Sequence, residues 1–173
     1  MLIVTDAAIN IAPSLEEKVD ICQNAIDLAI SLGLKQPKVA LLAAVETVNS
    51  KMPATLDAAA LCKMAERGQI KGGILDGPLA FDNAISPEAA RTKGIKSEVA
   101  GDPDILVVPD LEAGNILAKL LSFLARADSA GLVLGARVPI ILTSRADSVR
   151  ARIASCAVAM LAAHARRKSA AEG

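Results

Sequence analysis

The residues best suited to chemistry are concentrated in one short segment, residues 137–148. An apolar run, residues 138–142, ends there in a group of polar residues, and an alanine-rich helical pattern follows. The polar residues are Thr143, Ser144, Arg145, Asp147 and Ser148. A strand that delivers such groups to the start of a helix can hold a phosphate or an acyl oxygen, because the free N–H groups of the helix favour anions. The same residue types are also common as helix caps, so the pattern alone leaves both interpretations open.

Charge and composition exclude several classes of function. Nineteen lysines and arginines balance nineteen aspartates and glutamates, so no net charge attracts nucleic acid or an anionic membrane surface. The first residues lack the basic start and long apolar run of a signal peptide, and no uncharged apolar stretch is long enough to cross a bilayer. We therefore expect a cytoplasmic protein with no nucleic-acid or membrane partner.

The cysteines and the single histidine argue against a metal site. Cys22, Cys62 and Cys156 are far apart, and each lies inside an apolar helical pattern, which predicts reduced, buried thiols. His164 lies on an alanine-rich helix, far from any predicted strand end. Because the chain has no Cys-x-x-Cys pair and no histidine at ligand spacing from a carboxylate, we predict no metal.

Hydrophobic periodicity predicts the elements that position the reactive segment. Short apolar runs alternate with amphipathic helical patterns, which is typical of parallel strands joined by crossover helices. The predicted strands are 2–4, 38–45, 70–76, 104–110, 131–136 and 138–142, and the predicted helices are 15–30, 55–66, 79–93 with an interruption at Pro87, 111–126 and 147–164. The fold class is therefore α/β, with a mostly parallel sheet between two layers of helices.

Polar residues follow nearly every predicted strand. Parallel strands end at one edge of a sheet, and that edge is where such folds bind ligands. The exits carry Asp6, residues 46–51, Asp76, residues 110–115 and residues 143–147. Gly114 offers close backbone approach to a ligand beside Asn115, although a helix cap explains both equally well. Asp76 precedes Gly77 and is also typical of a turn.

Three motifs carry a resemblance to a known family. Residues 75–86, 108–115 and 139–148 resemble, in that order, the phosphate acetyl/butyryl transferase family, and the resemblance covers nearly the whole chain. It extends to the transferase part of bacterial bifunctional enoyl-CoA hydratase/phosphate acetyltransferases. It implies an isopropylmalate dehydrogenase-like fold, acyl exchange between acyl phosphate and coenzyme A, no cofactor besides coenzyme A as substrate, and a homodimer. The NAD-dependent dehydrogenases of similar fold are a weaker alternative, because their paired metal-binding aspartates have no convincing match.

The resemblance also implies that the chain is part of a longer enzyme. Residues 1–138 resemble the second α/β domain of the family, residues 139–168 the strand-helix segment that returns to the first domain, and 169–173 a disordered tail. Nothing here matches the N-terminal first domain, whose arginines help to hold the substrates in a cleft between the domains. We expect the chain to be the C-terminal part of the transferase, possessing little activity alone, or a non-catalytic module for dimerisation or coenzyme A binding.

The resemblance assigns roles to the reactive segment. Ser144 and Arg145 match the Ser-Arg pair that binds and polarises the acyl phosphate. The aspartate that accepts the thiol proton in an acetyl-specific branch falls at Ala151, so Asp147 is the nearest substitute. We expect contributions to substrate binding from Thr143, Gly114, Asn115 and Asp76.

Overall fold

The structure is a computed structural model that describes the backbone of residues 1–172 and the side chains of residues 1–168. Its strands are β1 (Ile3–Thr5), β2 (Lys38–Leu42), β3 (Ile74–Leu79), β4 (Ile105–Val107), β5 (Leu132–Val133) and β6 (Ile140–Ile141). Its helices are α1 (Leu15–Ser31), α2 (Pro53–Glu66), α3 (Phe81–Ile85), α4 (Pro87–Thr92), α5 (Leu111–Phe123) and α6 (Val149–Glu172). The predicted α/β class is confirmed.

Four of the strands form a parallel sheet in the order β1-β4-β2-β3. Successive side chains point to opposite faces, so β2 sends Val39 and Leu41 into one buried apolar cluster and Ala40 and Leu42 into the other. Helices α1 and α2 cover the first face, and α3 and α5 cover the second. This is the predicted three-layer arrangement, with the carboxyl ends of the four strands at one edge.

The last two strands do not join this sheet, and the prediction of a common edge was wrong for them. β5 and β6 pair with each other in antiparallel orientation, Leu132 opposite Ile141 and Val133 opposite Ile140, in a separate two-stranded sheet. The physical reason is the short connection between them, since a parallel pair needs a crossover of a dozen or more residues. Residues 143–147 therefore follow a strand of this hairpin and not a strand of the parallel sheet.

The third strand is displaced from its predicted position. β3 spans Ile74–Leu79 rather than residues 70–76, because the apolar side chain of Ile70 is buried in a loop against the first face. The strand continues through Pro78, which an edge strand tolerates because one side of it needs no hydrogen-bond donor. Asp76 consequently lies inside β3, beside Ala40 of β2, and not past the end of the strand.

Helix α6 packs against α1 and is joined to the hairpin through one buried serine. The Ser155 hydroxyl accepts a hydrogen bond from the Gly131 N–H (3.0 Å) and donates one to the Ala151 carbonyl (2.8 Å). The helix begins at Val149 and continues to Glu172, into the segment for which a disordered tail was predicted. Cys156 lies on its outer side, so the prediction of a buried thiol was wrong for this residue, whereas Cys22 is buried as predicted. Gly173 lies outside the described residues.

Candidate active site

Ser144 and Arg145 lie in a tight turn between β6 and α6. The Asp147 N–H donates to the Ser144 carbonyl (3.1 Å), and the Asp147 carboxylate accepts a hydrogen bond from the Ser144 N–H (2.6 Å). The Ser144 hydroxyl oxygen accepts a longer hydrogen bond from the Ala146 N–H (3.3 Å). Asp147 therefore holds the shape of the turn, while the Ser144 and Arg145 side chains, like that of Thr143, are exposed.

The cap of α6 is Ser148 and not Ser144. The Ser148 hydroxyl accepts a hydrogen bond from the Ala151 N–H (3.2 Å), which is the geometry of an N-cap three residues before its partner. The alternative explanation of Ser144 as a helix cap is therefore wrong. Within residues 1–168, no group accepts a hydrogen bond from the Ser144 hydroxyl and no carboxylate pairs with Arg145.

Two further arginines lie next to this turn, and the sequence analysis did not single them out. The Arg152 guanidinium donates to the Arg145 carbonyl (3.4 Å), and Arg150 forms an ion pair with Asp128 (2.6 Å). The first turn of α6 contains no acidic residue. The spacing of Arg152 seven residues after Arg145, across a helix start, was the available sequence signal.

At the carboxyl end of β1, the Asp6 carboxylate organises the following loop. It accepts hydrogen bonds from the backbone N–H groups of Ala8 (2.8 Å), Ile9 (3.0 Å) and Asn10 (2.8 Å), and from the Asn10 side chain (2.7 Å). Burial by itself raises the pKa of Asp6, but these hydrogen bonds to the ionised form outweigh it and lower that pKa. Asp6 thus remains charged and holds the loop.

Gly114 and Asn115 of α5 contact this same loop. A Cβ atom on Gly114 would lie only 2.5 Å from the Asp6 carbonyl oxygen, and the Asn115 amide donates to the Ala7 carbonyl (3.2 Å). Gly114 is buried. The close backbone approach expected at Gly114 is therefore made to the chain's own β1 loop, and a substrate contact by Gly114 or Asn115 stays a prediction.

Asp76 is half-buried inside β3. Its carboxylate accepts a hydrogen bond from the Gly77 N–H (2.9 Å). Burial, followed by the negative charge of Asp76, raises the pKa of the Cys62 thiol to about 12. The position of Asp76 within the strand separates it from the strand ends at which the other candidates lie.

A buried ion pair that the sequence analysis missed lies near the ends of β2 and β4. Lys18 Nζ is 2.6 Å from Asp57 Oδ2, and the Lys18 side chain is only 8% exposed. The pair borders a small cavity that is also lined by Leu41 and Val108. It joins α1 to α2 beside the edge of the sheet. The sequence signal was the position of Lys18 on the apolar face of α1, four residues before Cys22.

A second set of hydrogen-bonded polar side chains that the sequence did not lead us to expect lies near the ends of β2 and β3. The Asn83 amide donates to Glu46 Oε2 (3.2 Å), and Lys93 Nζ contacts the same oxygen (3.2 Å) and the Asp82 carboxylate (3.1 Å). The hydrogen bond from Lys93 lowers the pKa of Asp82, and the bond to Asp82 raises the pKa of Lys93. Glu46 belongs to a predicted strand exit, whereas Asn83 and Lys93 were not expected at the site.

The structure thus brings the sequence-predicted residues together in two groups. Ser144, Arg145 and Asp147 share one turn, whereas Asp6, Gly114 and Asn115 share the end of β1, and no hydrogen bond or ion pair joins the two groups within residues 1–168. In that part of the chain no group of three histidine, cysteine or acidic side chains is arranged to hold a metal ion. Of the helices described, none is both long enough and apolar enough to span a membrane.

Comparisons with known proteins place this architecture in a family. The chain is 72% identical over 166 residues to the phosphate acetyltransferase of Rhizobium meliloti, a match that covers 96% of this chain and 52% of that protein. It is 57% identical over 162 residues to the probable phosphate butyryltransferase of Bacillus subtilis, with 94% of this chain and 54% of that protein covered. The chain therefore spans about half the length of these curated relatives.

A solved structure agrees with these sequence matches. The crystal structure of a branched-chain phosphotransacylase from Enterococcus faecalis V583 superposes with a TM-score of 0.85 at 40% identity, over 93% of this chain and 58% of that one. The phosphate acetyl/butaryl transferase family matches residues 1–160. By its sequence and its fold, the chain belongs to the phosphate acetyl/butaryl transferase family.

Proposed function

We propose that the chain is the C-terminal part of an acyltransferase that moves an acetyl or other short acyl group between phosphate and coenzyme A. The observation that carries this proposal is the exposed turn with the Ser144 hydroxyl and the Arg145 guanidinium. Attack of a thiol on an acyl phosphate requires stabilisation of an oxyanion and neutralisation of the departing phosphate. Ser144 donates to the carbonyl or phosphate oxygen, and Arg145 binds the phosphate through its planar fork.

The charges around the turn support an anionic substrate. Cations in the first turn of a helix are unfavourable because the helix dipole is positive there. Arg150 is neutralised by Asp128, but Arg152 lies against the Arg145 carbonyl with no carboxylate partner within residues 1–168. A bound phosphate offsets this accumulation of positive charge, so Arg145 and Arg152 are the two charges that we assign to it.

We propose two tasks for Asp147. One carboxylate oxygen accepts the Ser144 N–H and so positions the hydroxyl of that residue. The other oxygen is the nearest acceptor in the turn for the thiol proton of coenzyme A. Ala151, where the acetyl-specific branch is expected to carry its base, has no group that can accept a proton.

We propose that the relatives' remaining length, their N-terminal domain, packs against α6 and the hairpin. One stripe of α6 is apolar and exposed to solvent, at Val149, Ile153, Cys156 and Met160. Ile140 and Ile141 of β6 are more than two-fifths exposed as well, and a two-stranded sheet of this size is marginal in water by itself. Both features fit a surface that another domain covers, and that domain then faces Ser144 across a cleft.

The experiment measures acetyl-CoA formed from acetyl phosphate and coenzyme A. It compares the purified chain with a chimera that carries the remaining half of the Rhizobium meliloti enzyme. We expect turnover by the chimera, and a loss of about 100-fold or more in its Ser144→Ala variant, the usual effect of removing one oxyanion donor. Ser122→Ala is the matched control, because the Ser122 hydroxyl donates to the Ala118 carbonyl within α5.

The outcomes separate the alternatives. A Ser144→Ala chimera within a few-fold of the parent contradicts the role of Ser144. Turnover by the chain alone that disappears in Ser144→Ala shows that one domain suffices, and the cleft between two domains is then not required. A chimera without turnover contradicts the proposed reaction.

A second candidate function, assembly of a homodimer, is favoured by the outer face of α5. Ile116, Leu120 and Phe123 repeat at helical spacing and are 66%, 44% and 64% exposed. We propose that a second copy of the chain covers this face. Analytical ultracentrifugation tests it: Phe123→Glu should produce monomers, while Lys35→Glu, at an exposed lysine in the loop after α1 and outside α5, should leave the dimer intact.

We further propose that the protein acts in the cytoplasm, without a cofactor other than the substrate coenzyme A. Three cysteines without disulfide bonds fit a reducing compartment. Non-reducing mass spectrometry of protein from its host, with the cells lysed in denaturant that contains the alkylating reagent, should find all three cysteines alkylated. A disulfide at that stage would contradict the proposed compartment.

A further inference from the structure

The group at the ends of β2 and β3 has a geometry of its own, apart from the Ser144 turn. We call Glu46, Asn83 and Lys93 the Glu46 clamp. Asn83, from α3, and Lys93, which follows α4, each bond Glu46 Oε2 at 3.2 Å. Lys93 Nζ also donates to the Asp82 carboxylate at 3.1 Å. Two elements that follow β3 thus hold one carboxylate that follows β2.

Packing alone does not explain why Asn83 occupies this position. It is fully buried, and its Oδ1 has no hydrogen-bond donor among the described residues. A buried polar atom without a partner destabilises a protein by about 1–3 kcal/mol. An apolar side chain would fill the same space without this loss, so the amide that donates to Glu46 is the feature that explains Asn83.

Glu46 belongs to the loop after the central strand β2, residues 43–52, which we call the β2 loop. The far end of this loop is also fixed: the Thr55 hydroxyl accepts a hydrogen bond from the Asn49 N–H (2.9 Å) and lies 2.8 Å from the Met52 carbonyl. Between Glu46 and Met52, five consecutive residues are exposed: Thr47, Val48, Asn49, Ser50 and Lys51. The loop is therefore a preorganised segment that presents these side chains at the edge where ligands bind.

We propose that the Glu46 clamp positions the β2 loop as the wall that binds the pantetheine arm of coenzyme A, an inference that rests on the proposed function. The pantetheine arm is uncharged and alternates methylene with amide groups. The β2 loop matches this chemistry, because Lys93 neutralises Glu46 and the exposed side chains from Thr47 to Ser50 are one aliphatic group, two hydroxyls and one amide. The one cation among these exposed residues, Lys51, lies at the far end of the loop, and we assign the phosphate to the Ser144 turn. The clamp residues are positioning residues and do not touch the reacting atoms.

The test uses Lys93→Met, Lys93→Arg and Lys63→Met in the form of the protein that makes acetyl-CoA. Lys63→Met is the matched control, since Lys63 pairs with Glu66 on the exposed surface of α2. In Lys93→Met we expect the KM for coenzyme A to rise roughly tenfold through misplacement of the wall, with the KM for acetyl phosphate and kcat nearly unchanged. Lys93→Arg restores most of the affinity, because a guanidinium reaches the same two carboxylates.

Hydrogen–deuterium exchange gives a readout that does not depend on activity. Exchange in residues 43–52 should become faster in Lys93→Met and stay unchanged in Lys63→Met, with the rest of the sheet protected as in the parent. If Lys93→Met is active and shows neither faster exchange nor a higher KM for coenzyme A, the positioning role of the Glu46 clamp is refuted, while the proposed function stands. A parent protein without turnover overturns the proposed function and with it the assignment to coenzyme A.

Discussion

Replacing Gly114 with alanine tests how α5 is seated on the β1 loop. The new Cβ would lie 2.5 Å from the Asp6 carbonyl oxygen, 2.8 Å from the Val108 side chain and 3.0 Å from Ala7 Cα. Ordinary contacts of this kind begin at 3.4 Å, so the loop must move by about 0.9 Å. Two of the three obstacles are backbone atoms, which cannot rotate away.

The change in the free energy of unfolding that we expect for Gly114→Ala is the difference between two opposing effects. Alanine favours a helix over glycine by about 1 kcal/mol, whereas overpacking of a tight contact costs about 1–3 kcal/mol and here falls at the upper end. We expect a net loss of about 1–2 kcal/mol in the free energy of unfolding. The loop cannot relax cheaply, because the Asp6 carboxylate holds three of its backbone N–H groups.

Urea unfolding followed by circular dichroism measures this difference. The control is Glu112→Ala, an exposed residue in the same first turn, for which we expect a loss of no more than about 0.5 kcal/mol. Stability of Gly114→Ala equal to or above that of the parent refutes the reasoning. The glycine would then need another explanation, such as contact with a ligand.

Three further predictions concern charges and thiols. Lys18→Met leaves Asp57 without its partner and should lower the free energy of unfolding by about 2–3 kcal/mol in urea titrations. The double variant that also carries Asp57→Leu should recover most of this loss. Equal losses in the single and double variants would contradict this prediction. In the native chain a thiol reagent at pH 8 should label Cys156 rapidly and the two thiols with pKa values of about 12 only after unfolding; three fast thiols would show that the core is open. The lowered pKa of Asp6 contributes stability that is fully present above the unfolded value of about 3.9 and is lost as the pH falls through the folded pKa. The advantage of the parent over Asp6→Asn should therefore be about 1 kcal/mol at pH 7 and shrink below pH ~4, and an advantage independent of pH would exclude ionisation as its cause.

The sequence was sufficient to predict those helices and strands whose stabilising contacts join residues close together in the chain. The start of α1 is an example: the Ser14 hydroxyl accepts from the Glu17 N–H (3.3 Å), and the Glu17 carboxylate accepts from the Ser14 N–H (2.7 Å). These partners lie within one helical turn, so spacing alone predicts the contact. The uninterrupted apolar run of β2 similarly predicted a strand buried on both faces, because successive side chains of a strand point to opposite faces of the sheet.

The candidate site was predictable only in part, for the same reason. The Ser144 turn is local, and its residue types pointed to anion binding. The cap at Ser148 was missed because two serines compete for one helix start and only the backbone path decides between them. Polar groups at strand exits were anticipated for Asp6 and Glu46, whereas Asp76 was misplaced because an edge strand accepted Pro78.

The sequence by itself determined the α/β class, the order of most elements and the polar residue types of the Ser144 turn, on which its proposed chemistry rests. Only the tertiary structure decided that Gly114 packs against the β1 loop and that Asn83 reaches Glu46. Each of these contacts joins segments that are not neighbours in a helix or strand, and their separation in the chain leaves no periodic trace. Composition and spacing specify which surfaces must be buried, but the partner that covers each surface is selected by the packing of the whole chain.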